Sequence, residues 1–193
     1  MSHTLAVGDD GTPAAGEPAR EANLLGTVSL AVSERVDGAV ELAAGHGGTA
    51  PAALSALATY LDGSSIDALR RALGLTHSAA VRLADRLSQT GLVKRAPGLD
   101  GRSVSIQLTD DGSAVAARIQ AAREASLLEI LAPLSQAERA ELTRLHEKLL
   151  EGVVDGREAA RHVCRLCDAH ACGHAVGRCP VTRAADRAEA AVG

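Results

Sequence analysis

The sequence predicts a mainly α-helical fold that carries one small β-hairpin. First, 46% of the 193 residues are hydrophobic and Tyr60 is the only aromatic residue, so Leu, Val, Ile and Ala must build the core. Second, these apolar residues recur at helical spacing along most of the chain. Third, Val104, Ile106 and Leu108 alternate with polar residues, as on a strand. The lack of aromatic residues excludes nucleic-acid readers that stack bases on aromatic platforms.

Composition divides the chain into four segments. Residues 1–22 are rich in Gly, Pro, Ala and acidic residues, which predicts a flexible tail. Residues 23–155 form one helical domain, residues 156–182 hold all the cysteines, and the Ala-rich residues 183–193 are expected to be a second tail. We find neither a signal-peptide pattern nor an apolar run long enough to span a membrane, so a cytoplasmic location is expected.

Long helices flank the hairpin on both sides. The first is predicted from residue 23 to about 44, before Gly45. After the hairpin, Thr109 can cap a helix that reaches residue 131, and a capping box at residues 135–138 opens another helix, which Gly156 is expected to end. The apolar stripe of these last two helices is more than one small domain can cover, which predicts a second subunit. The stripe consists of Leu127, Leu128, Leu131, Leu142, Leu145, Leu149 and Val153.

The order of elements between residues 51 and 109 is that of a winged helix-turn-helix. Pro51 suits the first turn of one helix, and a short helix over residues 66–73 ends at Gly74. Thr76 or Ser78 can cap the next helix, and a two-stranded hairpin follows it. In this arrangement two helices brace a third, whose N-terminal turn enters the major groove of DNA.

Charge supports a nucleic-acid partner for this segment. The whole chain has a net charge of −4, yet residues 64–105 contain seven basic and three acidic residues. A basic region within an acidic chain is typical of a local anion-binding surface. We predict DNA contacts from the exposed start of the reading helix, from the first strand of the hairpin and from its tip. The predicted residues are Thr76, His77, Ser78, Ala79, Arg82, Arg86, Lys94, Arg95, Arg102 and Ser103.

Several motifs of this segment resemble the MarR family of bacterial transcriptional regulators. They are the helix at residues 66–75, Gly-Leu-Val-Lys-Arg at 91–95, Asp-Gly-Arg at 100–102 and Leu-Thr-x-x-Gly at 108–112. The resemblance covers residues 23 to 154. It implies a homodimer, held by the first helix and the last two long helices, that represses promoters at near-palindromic operators. It also implies relief of repression by a small-molecule or oxidant effector.

The four cysteines follow the pattern Cys-x2-Cys-x4-Cys-x6-Cys, at Cys164, Cys167, Cys172 and Cys179. Such a cluster could hold structural Zn²⁺ or an iron–sulfur cluster, and the two remain equally open. A metal-free thiol switch that forms a disulfide on oxidation is the further alternative. The family resemblance does not account for this segment.

Together these features predict a regulator and not an enzyme. The sequence contains no phosphate-binding glycine loop, nucleophile elbow or His-Glu-x-x-His motif. We expect a DNA-binding repressor that responds to metal or redox state through its cysteines. The alternative is a thiol- or metal-binding redox protein whose winged helix serves protein contacts.

Overall fold

A computed structural model describes residues 16–97 and 104–191 of the chain, and within them the mainly helical fold is confirmed. The helices are α1 (Glu17–Ala44), α2 (Ala50–Ala56), α3 (Ile66–Leu73), α4 (His77–Gln89), α5 (Asp110–Leu131), α6 (Gln136–Val153), α7 (Gly156–Val163) and α8 (Pro180–Ala190). The strands are β1 (Ser64–Ser65), β2 (Val93–Pro97) and β3 (Val104–Leu108). One π-helical turn (Leu57–Leu61) extends α2, and 3₁₀ turns cover Cys164–Leu166 and His174–Val176.

The strands form one antiparallel sheet in the order β1-β3-β2. Val93 pairs with Leu108 and Pro97 with Val104, while Ser64 pairs with Ile106. The hairpin is therefore the one expected from the alternation in residues 104–108, and β1 adds a short third strand that the sequence did not reveal. Because β1 directly precedes α3, this pairing ties the wing to the start of the helix-turn-helix.

Helix caps match the sequence patterns closely. Ser65 accepts a hydrogen bond from the Ala68 amide at the start of α3, and Gly74 ends that helix in the left-handed region. Thr76, and not Ser78, caps α4 by accepting from the Ala79 amide. Each cap satisfies backbone groups that have no partner within the helix, so these boundaries are fixed locally.

The principal core joins the C-terminal half of α1 to the winged helix. Val36, Val40 and Ala44 of α1 pack against α2 and α5, and Leu54, Leu69, Leu83 and Ile106 are almost completely buried. By contrast, residues 16–31 of α1 are all exposed. The first half of α1 therefore stands away from the body of the chain.

Three boundary predictions were wrong. Residues 17–22, expected to be part of a flexible tail, form the first turns of α1, where Pro18 suits the start of a helix. Gly156 does not end α6, which stops at Val153; it opens α7 with a φ of 81°. Residues 183–190, expected to be a tail, belong to α8, whose Val181, Ala184 and Ala185 are buried.

Candidate functional site

Helix α4 presents two opposite faces. Ala80, Leu83, Ala84 and Leu87 are buried and fix the helix against the core. On the other side His77, Ser78, Arg82 and Arg86 are exposed, and Thr76 stands exposed at the N-cap. Ala79, also predicted as a contact, is half-buried. The structure therefore brings the predicted reading-helix residues together on one accessible face.

The basic residues of this region differ in their partners. Asp67 binds both Arg70 and Arg71, and the hydrogen bond from Arg70 holds the pKa of the Asp67 carboxyl below its usual value. In β2 Arg95 Nη2 lies 2.5 Å from Asp85 Oδ1 of α4. Arg95, predicted as a DNA contact, is exposed but joins the wing strand to the reading helix by this ion pair.

Three cations on this face remain without a carboxylate partner in the part of the chain that the structure describes: Arg82, Arg86 and Lys94. All three are exposed. Arg102 and Ser103, predicted at the tip of the wing, lie outside the described residues. The surface made by Thr76, His77, Ser78, Arg82, Arg86 and Lys94 is called the α4 surface below.

The four cysteines form a second site, which packs between α6, α7 and α8. All four are free thiols; Cys179 is buried and the other three are half-buried. They line one cavity of about 190 Å³. Cys164, Cys172 and Cys179 also belong to a small apolar cluster with Val154 and Val181. The predicted metal ligands are thus brought together, in a folded segment and not in a loose tail.

The four thiols differ in how readily they ionise. The interaction between the Cys164 and Cys167 side chains lowers the pKa of Cys164 and raises that of Cys167, whose burial adds to the rise. Burial raises the pKa of Cys172 to about 12. Burial opposes ionisation of Cys179 too, but hydrogen bonds from Thr182 outweigh it and lower its pKa. Cys164 and Cys179 are therefore the more easily ionised thiols.

The thiols are near one another without forming a finished coordination shell. Within residues 16–97 and 104–191, no three His, Cys, Asp or Glu side chains are already placed to hold a metal ion. Cys164 and Cys167 stand at the two ends of a 3₁₀ turn, closed by a 2.9 Å bond from the Cys167 amide to the Cys164 carbonyl. Gly173 and Gly177 both adopt left-handed conformations, which turn the chain between Cys172 and Cys179.

Salt bridges clamp this segment together. Glu151 of α6 binds Arg183 and Arg187 of α8 at 2.7 and 3.0 Å. Arg157 of α7 binds Asp186 and Glu189 of α8 at 2.9 and 2.7 Å. The three helices are thus joined by charge as well as by apolar packing. We call residues 156–190 the cysteine module.

The cysteine module is docked on the winged helix through contacts that sequence reasoning missed. Tyr60 donates a 2.8 Å hydrogen bond to the Arg161 carbonyl, and burial raises the pKa of Tyr60 to about 12, so the donating proton is retained. His162 Nδ1 lies 3.2 Å from the Ala72 carbonyl oxygen. The His162 ring also lies beside Gly74, at the turn between α3 and α4.

A half-buried amide completes this docking. Gln120 Nε2 of α5 lies 2.5 Å from Ser55 Oγ and 3.4 Å from the carbonyl oxygens of both Leu166 and Cys167. The Leu166 side chain packs against the principal core. These partners are separated by 46 to 101 residues, and no local spacing in the sequence signals them.

Comparisons with known proteins agree with this architecture. A family model described as MarR family matches residues 47–103. Residues 47–103 thus have the sequence pattern of the MarR family. The HTH-type transcriptional regulator PecS of Dickeya dadantii (strain 3937) is 36% identical over 87 residues, which are 45% of this chain and 52% of PecS. The chain thus spans about half the length of this curated relative.

Several solved structures share the fold over most of their length. The YusO protein from Bacillus subtilis is 21% identical with a TM-score of 0.59, covering 70% of this chain and 96% of YusO. MepR, a transcription regulator from Staphylococcus aureus, is 19% identical with a TM-score of 0.60, covering 68% and 97%. Rv2887 of Mycobacterium tuberculosis is 26% identical with a TM-score of 0.56, covering 69% and 95%. The MarR-family match ends at residue 103 and leaves the cysteine module unexplained.

Proposed function

We propose that this protein is a homodimeric transcriptional regulator that binds double-stranded DNA by sequence. The observation that carries the proposal is the α4 surface: an exposed helix N-terminus beside three cations that have no carboxylate partner in the described residues. The match of residues 47–103, which include the α4 surface, to the MarR family model supports the proposal. A MepR variant, 18% identical to this chain with a TM-score of 0.53, has been solved bound to an oligodeoxyribonucleotide.

The geometry of α4 suits the major groove, which is about 12 Å wide and admits one helix. Amides at the start of the helix and the hydroxyls of Thr76 and Ser78 can bind phosphate oxygens. Arg82, one turn further on, can reach a guanine edge with both guanidinium nitrogens. Lys94 on β2 adds a phosphate contact beside the helix, with the tip of the wing, including Arg102 and Ser103, expected at the minor groove.

Unpaired apolar surface supports the homodimer. Leu25 and Val28 of α1 are 54% and 56% exposed, and Leu149 and Val153 of α6 are 47% and 70% exposed. Exposed apolar residues in such number are uncommon on a monomer and are expected at an interface. A two-fold dimer presents two copies of α4, so its operator would be near-palindromic with half-sites about 10–10.5 base pairs apart.

Repression is the mode of action we propose, because a dimer seated on a promoter blocks polymerase. A cytoplasmic location follows from that role. Among the described residues no helix is long and apolar enough to cross a membrane. The MarR family and the relative PecS are transcription regulators and not enzymes, so we propose no catalytic activity for this protein. A small molecule or an oxidant would release the operator.

Selection from a random double-stranded DNA library with the full chain tests the proposal. We expect enrichment of a near-palindrome, and with the selected duplex we expect Arg82→Ala to lose roughly 1–3 kcal/mol of binding free energy. Arg144→Ala is the matched control, because Arg144 is an exposed arginine of α6 paired with Glu141 and remote in sequence from α4. If no sequence is enriched, or if both variants bind like the parent, the α4 surface is not a DNA-reading surface.

A further inference from the structure

The cavity of the cysteine module contains an unusual set of side chains. All four cysteines line it together with His174, Tyr60 and Arg161. No Asp or Glu lines this cavity. Hard cations such as Mg²⁺ and Ca²⁺ prefer carboxylate and carbonyl oxygens, whereas thiolates prefer Zn²⁺ and iron–sulfur clusters. The lining therefore selects a soft, thiophilic ligand.

We propose that the four thiolates of Cys164, Cys167, Cys172 and Cys179 bind one thiophilic metal centre, which is either a single Zn²⁺ ion or an iron–sulfur cluster. Both centres use four cysteine thiolates. Either one would leave net negative charge at the site. Arg161 lines the cavity, and Arg123 of α5 is close enough to act electrostatically on Cys164 and Cys167. Two cations therefore stand where the charge of the loaded site would need them.

Loading the site requires movement of a limited part of the chain. Cys164 and Cys167 are held by the 3₁₀ turn, and Cys179 is buried at the start of α8, which is clamped to α6 and α7. Cys172 is half-buried in the connection between them, which turns at Gly173 and Gly177. Because the thiols are not yet placed as a coordination shell, binding would draw this connection toward the fixed cysteines.

The docking contacts would transmit the state of the site to the helix-turn-helix. His162 lies two residues before Cys164 and contacts both the Ala72 carbonyl and the Gly74 turn. The carbonyl of Cys167 itself faces Gln120. The metal centre thus stiffens the segment that supports the turn before α4, so that operator binding depends on occupancy. This dependence rests on the proposed function; metal binding does not.

Measuring the metal content of the full chain tests whether the four cysteines bind a metal centre. We would purify it without air from cells grown with zinc and iron, and measure zinc, iron, acid-labile sulfide and the visible spectrum. One zinc per chain in a colourless solution supports Zn²⁺; iron with sulfide and broad visible absorption supports a cluster. Cys167→Ser and Cys172→Ser should lose the metal, and His146→Ala, on the exposed face of α6, should keep it. Circular dichroism checks that each variant is folded.

Cobalt(II) gives a readout independent of these preparations. Added to the reduced protein, it should produce intense thiolate-to-metal absorption at one equivalent per chain, and zinc should displace it. If neither purification nor reconstitution with zinc, or with iron and sulfide, gives a stoichiometric centre, the metal proposal fails. If the fully reduced protein binds none of these metals and instead forms a reversible disulfide on oxidation, a thiol switch replaces the metal proposal.

Measuring operator binding with and without metal tests whether DNA affinity depends on occupancy of the metal site. We expect chelation to weaken binding of the parent to the selected duplex at least several-fold, and His162→Ala to keep its metal but lose this dependence. Equal affinity of loaded and metal-free parent would reject the coupling while leaving the metal site intact. Failure of every form to bind DNA would reject the proposed function, and the metal measurement would be unaffected.

Discussion

Gly112, on the first turn of α5, faces the carbonyl oxygen of Leu92 so closely that a Cβ at position 112 would overlap that oxygen. Thr109 strengthens the same junction. It caps α5 by accepting from the Gly112 amide at 3.0 Å, and it donates to the Gly91 carbonyl at 2.6 Å. The Leu-Thr-x-x-Gly motif is therefore a structural joint between the wing and the long helix that follows it.

Gly112→Ala should destabilise the protein by about 1–3 kcal/mol, because the new methyl group meets backbone atoms that cannot rotate away. Gly152→Ala, in α6, is the matched control. A Cβ there meets no atom within 4 Å, and alanine favours helix, so stability should rise by up to about 1 kcal/mol. Urea unfolding followed by circular dichroism measures both. Similar behaviour of the two variants would contradict the steric explanation.

The ion pair between Asp85 and Arg95 is expected to limit the affinity for DNA, because it occupies the Arg95 guanidinium. Asp85→Asn removes the carboxylate that holds Arg95 and frees this guanidinium for a phosphate. We expect tighter binding to the selected operator and a salt dependence steeper by about 0.9 in log–log slope, the value for one added phosphate contact. Fluorescence anisotropy at several salt concentrations measures this.

Glu124→Gln serves as the control, because it removes one negative charge from an exposed position of α5. If it steepens the salt dependence as much as Asp85→Asn does, overall charge and not the release of Arg95 is responsible.

The homodimer can be tested on α1. Leu25→Asp places a charge within the exposed apolar half of the helix and should convert the dimer to monomer, because a buried unpaired carboxylate is strongly unfavourable. Size-exclusion chromatography with light scattering gives the mass. Leu42→Asp is the control; Leu42 is also exposed and lies about 25 Å farther along α1 at 1.5 Å per residue. If the parent protein has the mass of a single chain, the proposed homodimer is wrong.

The capping box of α6 predicts that the stability of the folded protein depends on pH. Glu138 accepts hydrogen bonds from the Ser135 hydroxyl and amide, and these lower its pKa below 4.5. The carboxylate therefore contributes stability above pH 4.5, and this contribution is lost as the pH falls through the folded-state pKa. Glu138→Ala should lower the urea midpoint at pH 7, and its difference from the parent should narrow at acid pH. A constant difference would mean that the carboxylate charge has no part in the cap.

Local signals in the sequence determined most of the winged helix. The caps at Ser65, Thr76 and Ser135 and the left-handed Gly74 act within one turn, so their residue types indicate where helices begin and end. Helix α4 could be placed for the same reason. Its exposed arginines follow from the amphipathic period of α4.

Long-range contacts could not be inferred in this way. Nothing near His162 indicates that its ring would lie beside Gly74, nor does the Ala-rich C-terminal sequence show that Arg183 would bind Glu151. Residues 64–105 contain seven basic residues, but Arg70, Arg71 and Arg95 are paired with carboxylates, which the sequence alone does not reveal. Such pairings depend on the fold, and only coordinates reveal them.

The burial of Leu166 limits where this polypeptide can be shortened. Its side chain covers the core of the preceding domain, and the adjacent carbonyls satisfy the amide of Gln120. A truncation after α6 would expose an apolar depression and leave that amide facing solvent beside Ser55. Fragments ending near residue 155 should consequently aggregate on expression, whereas those that retain α7 and the first two cysteines should remain soluble.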